Sequence, residues 1–354
     1  MAGVQYFLGA NSSHGFYSLY DELLPRESAA AIYYLKGGPG CGKSTLMNAV
    51  GRRARDAGLA AEYILCSGDP DSLDGIVIPA LGVAVADGTA PHVLEPLFPG
   101  AVEHYVNLGD CYDTGGLSTI REELMAATLA CKVPYAQCYQ ALAAAAAVGR
   151  AGRLVLSSET LQRRLVRRGA GILARECKKT GDTGGKTSRF LSGITCGGHF
   201  CLWDTVEELC PRVYALSDTY GLGGPLLETL LAGAVESGYP VISCPSPLEP
   251  ERLEHLLIPS LGLAFVTDTP ALPYPHKPYR HIRVDAMADE AVLRQNKGRL
   301  KFVRKVTEEL LQEGVAALAE AKKRHDHLEA LYRPFTDFDR ANLMTEALCN
   351  RIFG

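Results

Sequence analysis

The chain has no uninterrupted apolar run near the roughly 20 residues that a membrane-spanning helix needs. Its best candidate, "ALAAAAAVG" (141–149), is too short and too rich in alanine, and reads as a packed helix instead. The start, "MAGVQYFLGANSSHGF", lacks the basic n-region and long apolar core of a secretory signal. No large excess of either charge is present. With 36 basic and 40 acidic side chains the net charge is −4, which gives no general reason to bind nucleic acid or an anionic membrane. A short-spaced cysteine framework is missing too. The 11 cysteines are scattered, as expected of reduced thiols in a cytoplasmic protein. "CGGHFC" (Cys196, His199, Cys201) offers at most three ligands and has no second half nearby, so it does not read as a zinc site.

What is present is an ordinary globular composition, 47% apolar and 21% charged, in 354 residues, long enough for two domains. Within it, "IYYLKGGPGCGKSTLMNAV" (32–50) contains G-x-x-x-x-G-K-[ST] in full, as Gly37, Gly42, Lys43 and Ser44. An apolar strand (32–35) precedes the motif and a helix is expected after it. Glycines allow the backbone to turn several N–H groups inward around a phosphate, and the helix N-terminus adds positive potential there. Gly37, Gly38, Pro39, Gly40, Cys41, Gly42, Lys43, Ser44 and Thr45 are therefore the expected nucleotide-binding residues. Lys43 would reach the β- and γ-phosphates, and the Ser44 hydroxyl would ligate Mg²⁺.

The sequence repeats itself. "YFLGANSSHGFYSLYDELL" (6–24) lies over "RFLSGITCGGHFCLWDTVE" (189–207), matching Phe7 with Phe190, Leu8 with Leu191 and Gly15 with Gly198. "DPDSLDGIVIPALGVAV" (69–85) lies over "EPERLEHLLIPSLGLAF" (249–265). Between these blocks, "LKGGPGCGKSTLM" falls on "LSDTYGLGGPLLE" (216–228), in which Gly40 and Gly42 correspond to Gly221 and Gly223. Lys43 is replaced by Gly224, Ser44 by Pro225 and Gly37 by Asp218, whose carboxylate falls where phosphate would sit. The second loop is thus expected to be degenerate.

Alternation of strand and helix signals in each copy argues for a mainly parallel sheet with helices on both faces. The expected fold is α/β, two tandem P-loop NTPase-like three-layer domains over 1–182 and 183–354, each followed by a helical segment. In the first copy strands are expected at about 31–36, 61–67, 82–87 and 104–109, with helices near 44–57 and 71–80. Long helical stretches over about 117–178 and 289–352 could append to each α/β unit or join the two. The boundary falls in the polar, glycine-rich "KKTGDTGGKTS" (178–188).

Comparing the copies separates fold from chemistry. Asp69, Asp71 and Asp74 have acidic counterparts in Glu249, Glu251 and Glu254. They read as caps at the start of the expected 71–80 helix, with a catalytic role for Asp69 or Asp71 as the other reading. Asp87 ends the apolar run Val83 to Ala86 where a Walker B carboxylate would hold Mg²⁺, and its counterpart is Thr267. Asp110 in "VNLGD" is the reserve for that role. His92 has no obvious counterpart; it is either a γ-phosphate sensor or acid–base group, or a surface histidine. The basic run 163–179 (Arg163, Arg164, Arg167, Arg168, Arg175) reads as a solvated helix face, with a phosphate-contacting arginine as the alternative.

The motifs "GGPGCGKSTLM", "DPDSLDGIVIP", "DGTAPHVLEP", "PGAVEHYVNLGD" and "HDHLEALY" together resemble a poorly characterised bacterial family of internally duplicated P-loop proteins, ATPase-like or nucleotide-kinase-like. The resemblance covers most of the chain and implies ATP binding but no particular substrate. On the residues, three functions stay open: Mg-dependent nucleotide hydrolysis or phosphoryl transfer, a non-catalytic nucleotide sensor acting through a protein partner, and a kinase with a small-molecule acceptor. No guanine-reading "NKxD" motif is present, so ATP is expected before GTP. Membrane and nucleic-acid partners are not expected.

Overall fold

The computed structural model describes residues 3–354. The first half forms β1 (Val4–Phe7), β2 (Gly9–Ser12), β3 (Gly15–Ser18), β4 (Ala31–Lys36), α1 (Lys43–Asp56), β5 (Glu62–Leu65), β6 (Leu73–Ile78), β7 (Val83–Asp87) and β8 (Glu103–Asn107). Four helices follow: α2 (Thr114–Thr119), α3 (Arg121–Ala130), α4 (Lys132–Leu156) and α5 (Glu159–Glu176). The second half forms β9 (Lys186–Ser188), β10 (Ser192–Thr195), β11 (Gly198–Cys201), α6 (Trp203–Leu209), β12 (Arg212–Ser217), α7 (Gly224–Glu236), β13 (Val241–Pro245), β14 (Leu253–Ile258), β15 (Leu263–Asp268) and β16 (Arg280–Arg283). It closes with α8 (Glu290–Gln295), α9 (Lys297–Tyr332) and α10 (Phe338–Phe353).

Two six-stranded mixed sheets result, in the orders β1-β5-β6-β7-β4-β8 and β9-β13-β14-β15-β12-β16. Strand for strand these are the same plan. In both, the two antiparallel neighbours are the equivalent ones, β5–β6–β7 and β13–β14–β15, and the other three pairings are parallel. Details repeat as well: each turn into the fourth strand is a proline-led 3-10 turn closed by a left-handed glycine, Gly82 or Gly262. β4 is buried from Ala31 to Leu35 because neighbours flank it on both edges and the sheet is covered, so its sequence is an unbroken apolar run.

The expected helix near 71–80 is a strand. Ile76, Val77 and Ile78 of β6 are buried, and β-branched side chains fit a covered sheet better than a helix. The capping role expected for Asp69, Asp71 and Asp74 therefore disappears with the helix. Asp110 does not end a strand either; it sits in a 3-10 turn after β8, accepting from the Asn107 side-chain amide at 2.8 Å.

The long helices cross between the halves. α4 and α9 run antiparallel in close contact, and small residues permit the approach: a Cβ on Gly314 would meet Leu142 at 2.9 Å, and one on Gly152 would meet Val303 at 2.7 Å. α5, from the first half of the chain, then packs on α7 of the second, while α10, from the end of the chain, packs on α1 of the first. One core takes in the first sheet together with Val213, Ala215, Leu257, Ala264 and Val266 from one face of the second. Phe7 and Phe190 join the halves by reciprocal backbone bonds of 2.9 Å. Among the described residues no helix is long and apolar enough to cross a membrane.

Candidate functional site

The intact loop leaves the end of β4 and runs directly into α1. Gly40 (φ +71°) and Gly42 (φ +93°) adopt left-handed conformations, which side-chain-bearing residues rarely adopt. Gly42 is the N-cap of α1, so Lys43 and Ser44 open the helix with their N–H groups unclaimed by helix carbonyls. Gly37 is confined by the Cys41 thiol, which a Cβ would approach to 2.6 Å, and Gly38 by the Tyr112 hydroxyl at 2.9 Å. That same hydroxyl donates to the Pro39 carbonyl at 3.1 Å. Gly40 lies under α9, with the Glu329 backbone oxygen 3.4 Å from a Cβ built there. Cys41 is buried, whereas Thr45 faces solvent.

Lys43 turns back over its own loop. Its ammonium donates to the carbonyls of Gly37 (2.9 Å) and Gly38 (3.0 Å) and lies 3.6 Å from Asp87 Oδ2. Asp87 reaches it because β7 lies beside β4 in parallel register and pairs Asp87 with Leu35. Its other oxygen accepts from the Thr89 amide (2.8 Å) and hydroxyl (2.5 Å). The Ser44 hydroxyl accepts from the Leu73 amide at 3.0 Å, so it is anchored towards β6.

His92 is brought in, not left on a surface turn. Lys36 holds the segment after β7 by donating to Gly88 O (2.9 Å), Leu94 O (2.8 Å) and Glu95 (2.7 Å). The imidazole stacks on Tyr20 at 4.6 Å and lies beside Phe16 at 5.6 Å. Its Nε2 is 3.8 Å from Asp74 Oδ2. Asp74, Asp87 and His92 together present ligand-type atoms within 4.8 Å of one another. Asp74 Oδ2 and His92 Nδ1 are buried without a hydrogen-bond partner. Burial raises the Asp74 pKa; the adjacent His92 opposes this, and the Asp87 carboxylate adds to it.

Asp74 is thus the acid of "DPDSLDG" that enters the site. Its signal was visible, an acid just ahead of the apolar β-branched run Ile76–Ile78, but a helical reading hid which face it occupies. Tyr20 carries no such signal, since nothing in "SLYDELL" shows that its ring meets His92. Asp69 goes elsewhere, pairing with Lys322 of α9 at 3.4 Å. Arg163, Arg164, Arg167, Arg168 and Arg175 lie on the exposed side of α5, over the second half and not over the loop.

The second loop is closed from within. Asp218 Oδ1 accepts from the Leu222 amide (2.6 Å) and Oδ2 from the Gly223 amide (2.7 Å), so a carboxylate fills the nest that phosphate would need. Arg252 donates to the Gly221 carbonyl at 2.7 Å. Arg153 and Arg252 are both tied to the buried Glu249, at 2.5 and 3.1 Å.

The first loop offers backbone amides at a helix N-terminus, one lysine and one hydroxyl, beside a carboxylate pair from β6 and β7 of which one oxygen is buried and unpaired. No protein-family model, no curated protein and no solved structure matches the chain.

Proposed function

We propose that the chain is an ATP-binding P-loop protein with one competent magnesium–nucleotide site at residues 37–45, and that it hydrolyses ATP or transfers its γ-phosphoryl group. The observation carrying this reading is the position of Lys43, at the start of α1, 3.6 Å from Asp87, at the end of the strand beside β4, over an amide-lined glycine loop. The loop amides and Lys43 would hold the phosphates, and Ser44 and Asp87 would hold Mg²⁺. Bound magnesium would neutralise phosphate charge. Asp74 is the group suited to take a proton from water or from an acceptor hydroxyl, because one of its oxygens is buried and unpaired and burial raises its pKa.

On this reading the second half is a duplicate whose phosphate chemistry has decayed, and the chain is a cytoplasmic member of the duplicated P-loop family. A kinase with a small-molecule acceptor would use the same groups. A sensor without turnover is the second reading, and α9 favours it. Because the helix lies on Gly40, nucleotide entry would be coupled to a helix that also spans the second half.

Phosphate release from Mg-ATP, measured on wild type and on Asp87→Asn and Asp74→Asn, separates these readings. Turnover reduced at least 100-fold in both variants supports the enzyme. Tight binding without turnover supports the sensor. Turnover unchanged in Asp87→Asn would overturn the assignment of the metal-side acid.

A further inference from the structure

A cavity of about 420 Å³ lies over the second loop, at the C-terminal ends of β12 and β15. That is within the roughly 300–1,000 Å³ of small-molecule sites, and strand ends of open α/β sheets are where such sites form. Its floor is the segment Asp218–Gly221 with Ser246 and Thr267. Its roof is the crossing of α4 and α9, where Gly149 and Gly152 let the two helices approach closely and Leu300, Val303 and Leu311 supply an apolar wall.

The buried and partly buried charges around this cavity are already spent on one another, whereas Arg304 and Glu308 of α9, which also line it, are exposed to solvent. Asp218 is satisfied by two backbone amides, Arg153 and Arg252 by Glu249, and Glu254 by Ser192 and His255. Asp218, in particular, occupies the Leu222 and Gly223 amides that a phosphate on the floor would need. What remains both buried and unpaired is neutral: the Thr307 hydroxyl has no hydrogen-bond partner. A buried hydroxyl left unbonded is costly, so a ligand that pairs with it is favoured over one that cannot. Tyr220 adds an aromatic ring to the lining.

We propose that this cavity is a second, non-catalytic binding site for an uncharged, nucleoside-sized molecule: a ring system held between Tyr220 and the apolar roof, with one polar group on Thr307. The proposal is independent of whether the first loop turns over ATP. The same helix roofs both sites, because Thr307 and Glu329 lie on α9, about 33 Å apart along its axis. A ligand seated at Thr307 therefore bears on the helix that covers Gly40.

Calorimetric titration of the full chain with adenosine, guanosine, cytidine and uridine tests this, using wild type, Lys43→Ala, Thr307→Val and Thr307→Leu. At least one nucleoside binds wild type and Lys43→Ala equally, near one equivalent, and excess ATP does not displace it. Thr307→Val weakens it at least tenfold without changing the fold by circular dichroism, and Thr307→Leu abolishes it. If Thr307→Leu misfolds, Thr307→Val decides. No binding by any of the four, displacement by ATP, or affinity unchanged in Thr307→Val would each overturn the proposal. Loss of ATP binding in Lys43→Ala bears only on the first site.

Discussion

Asp74 is held in a way that costs stability. Its carboxylate is buried with one oxygen unpaired, and burial raises its pKa above the ordinary carboxylate range. An acid whose folded pKa is raised weakens the fold as pH rises through that range, because the unfolded chain gives up the proton more readily. Asp74→Asn should therefore raise stability at neutral pH by roughly 1 kcal/mol while lowering turnover, and the gain should shrink as pH falls through the raised pKa and be gone by about 4. Thermal melts of both proteins across pH check this. Glu103 has the opposite sign. Burial works against its charge, but Arg26, the Phe98 amide, the Tyr34 hydroxyl and the Leu97 amide outweigh that and hold its pKa near 2. Its contribution is present above about 4.3 and is lost as pH falls from there towards 2. Glu103→Ala should cost about 3 kcal/mol, read by chemical denaturation at pH 7, because it strands Arg26 and two amides. Gly42→Ala isolates a backbone effect: nothing lies within 4 Å of the added Cβ, yet φ is +93°. A loss of about 1 kcal/mol is expected, together with loss of nucleotide binding, since any relief of the torsion turns the loop amides away.

Among the elements, β4, α1 and the loop between them could be read directly, because an apolar run, a glycine cluster and an amphipathic segment each carry a local signal. β6 could not. "SLDGIVIP" holds an acid, a glycine and four apolar residues, and only its two antiparallel neighbours make it a strand. The hairpins β2–β3 and β10–β11 were missed because their strands are short and rich in glycine and serine. Asp87 was legible as a strand-end acid, whereas its approach to Lys43 depends on β7 lying beside β4, a long-range fact. The α4–α9 crossing is likewise set by single small residues. At Gly152 a Cβ would meet β-branched Val303, which cannot swing away. Gly152→Leu should therefore destabilise the protein by about 1–3 kcal/mol and open the roof over the second cavity, measurable by denaturation and by hydrogen exchange in α9.

For the whole molecule, the exchange of terminal helices decides how the halves depend on each other. α10 covers α1 through Leu348 and Cys349, both buried, and Arg53 of α1 reaches Asn350 at 3.1 Å. Removing residues 337–354 should consequently unprotect α1 and the first loop, at the other end of the sequence, while α7 and the second sheet stay protected; hydrogen exchange by peptide distinguishes the two. The two sheets share one strand plan, but only one of the two loops leaves its amide nest open, and that asymmetry is the centre of the account. It is tested most directly by calorimetric titration with Mg-ATP of wild type and Lys43→Ala. The account predicts one equivalent bound per chain and none in the variant. Two equivalents, no binding by wild type, or equal binding by the variant would contradict it.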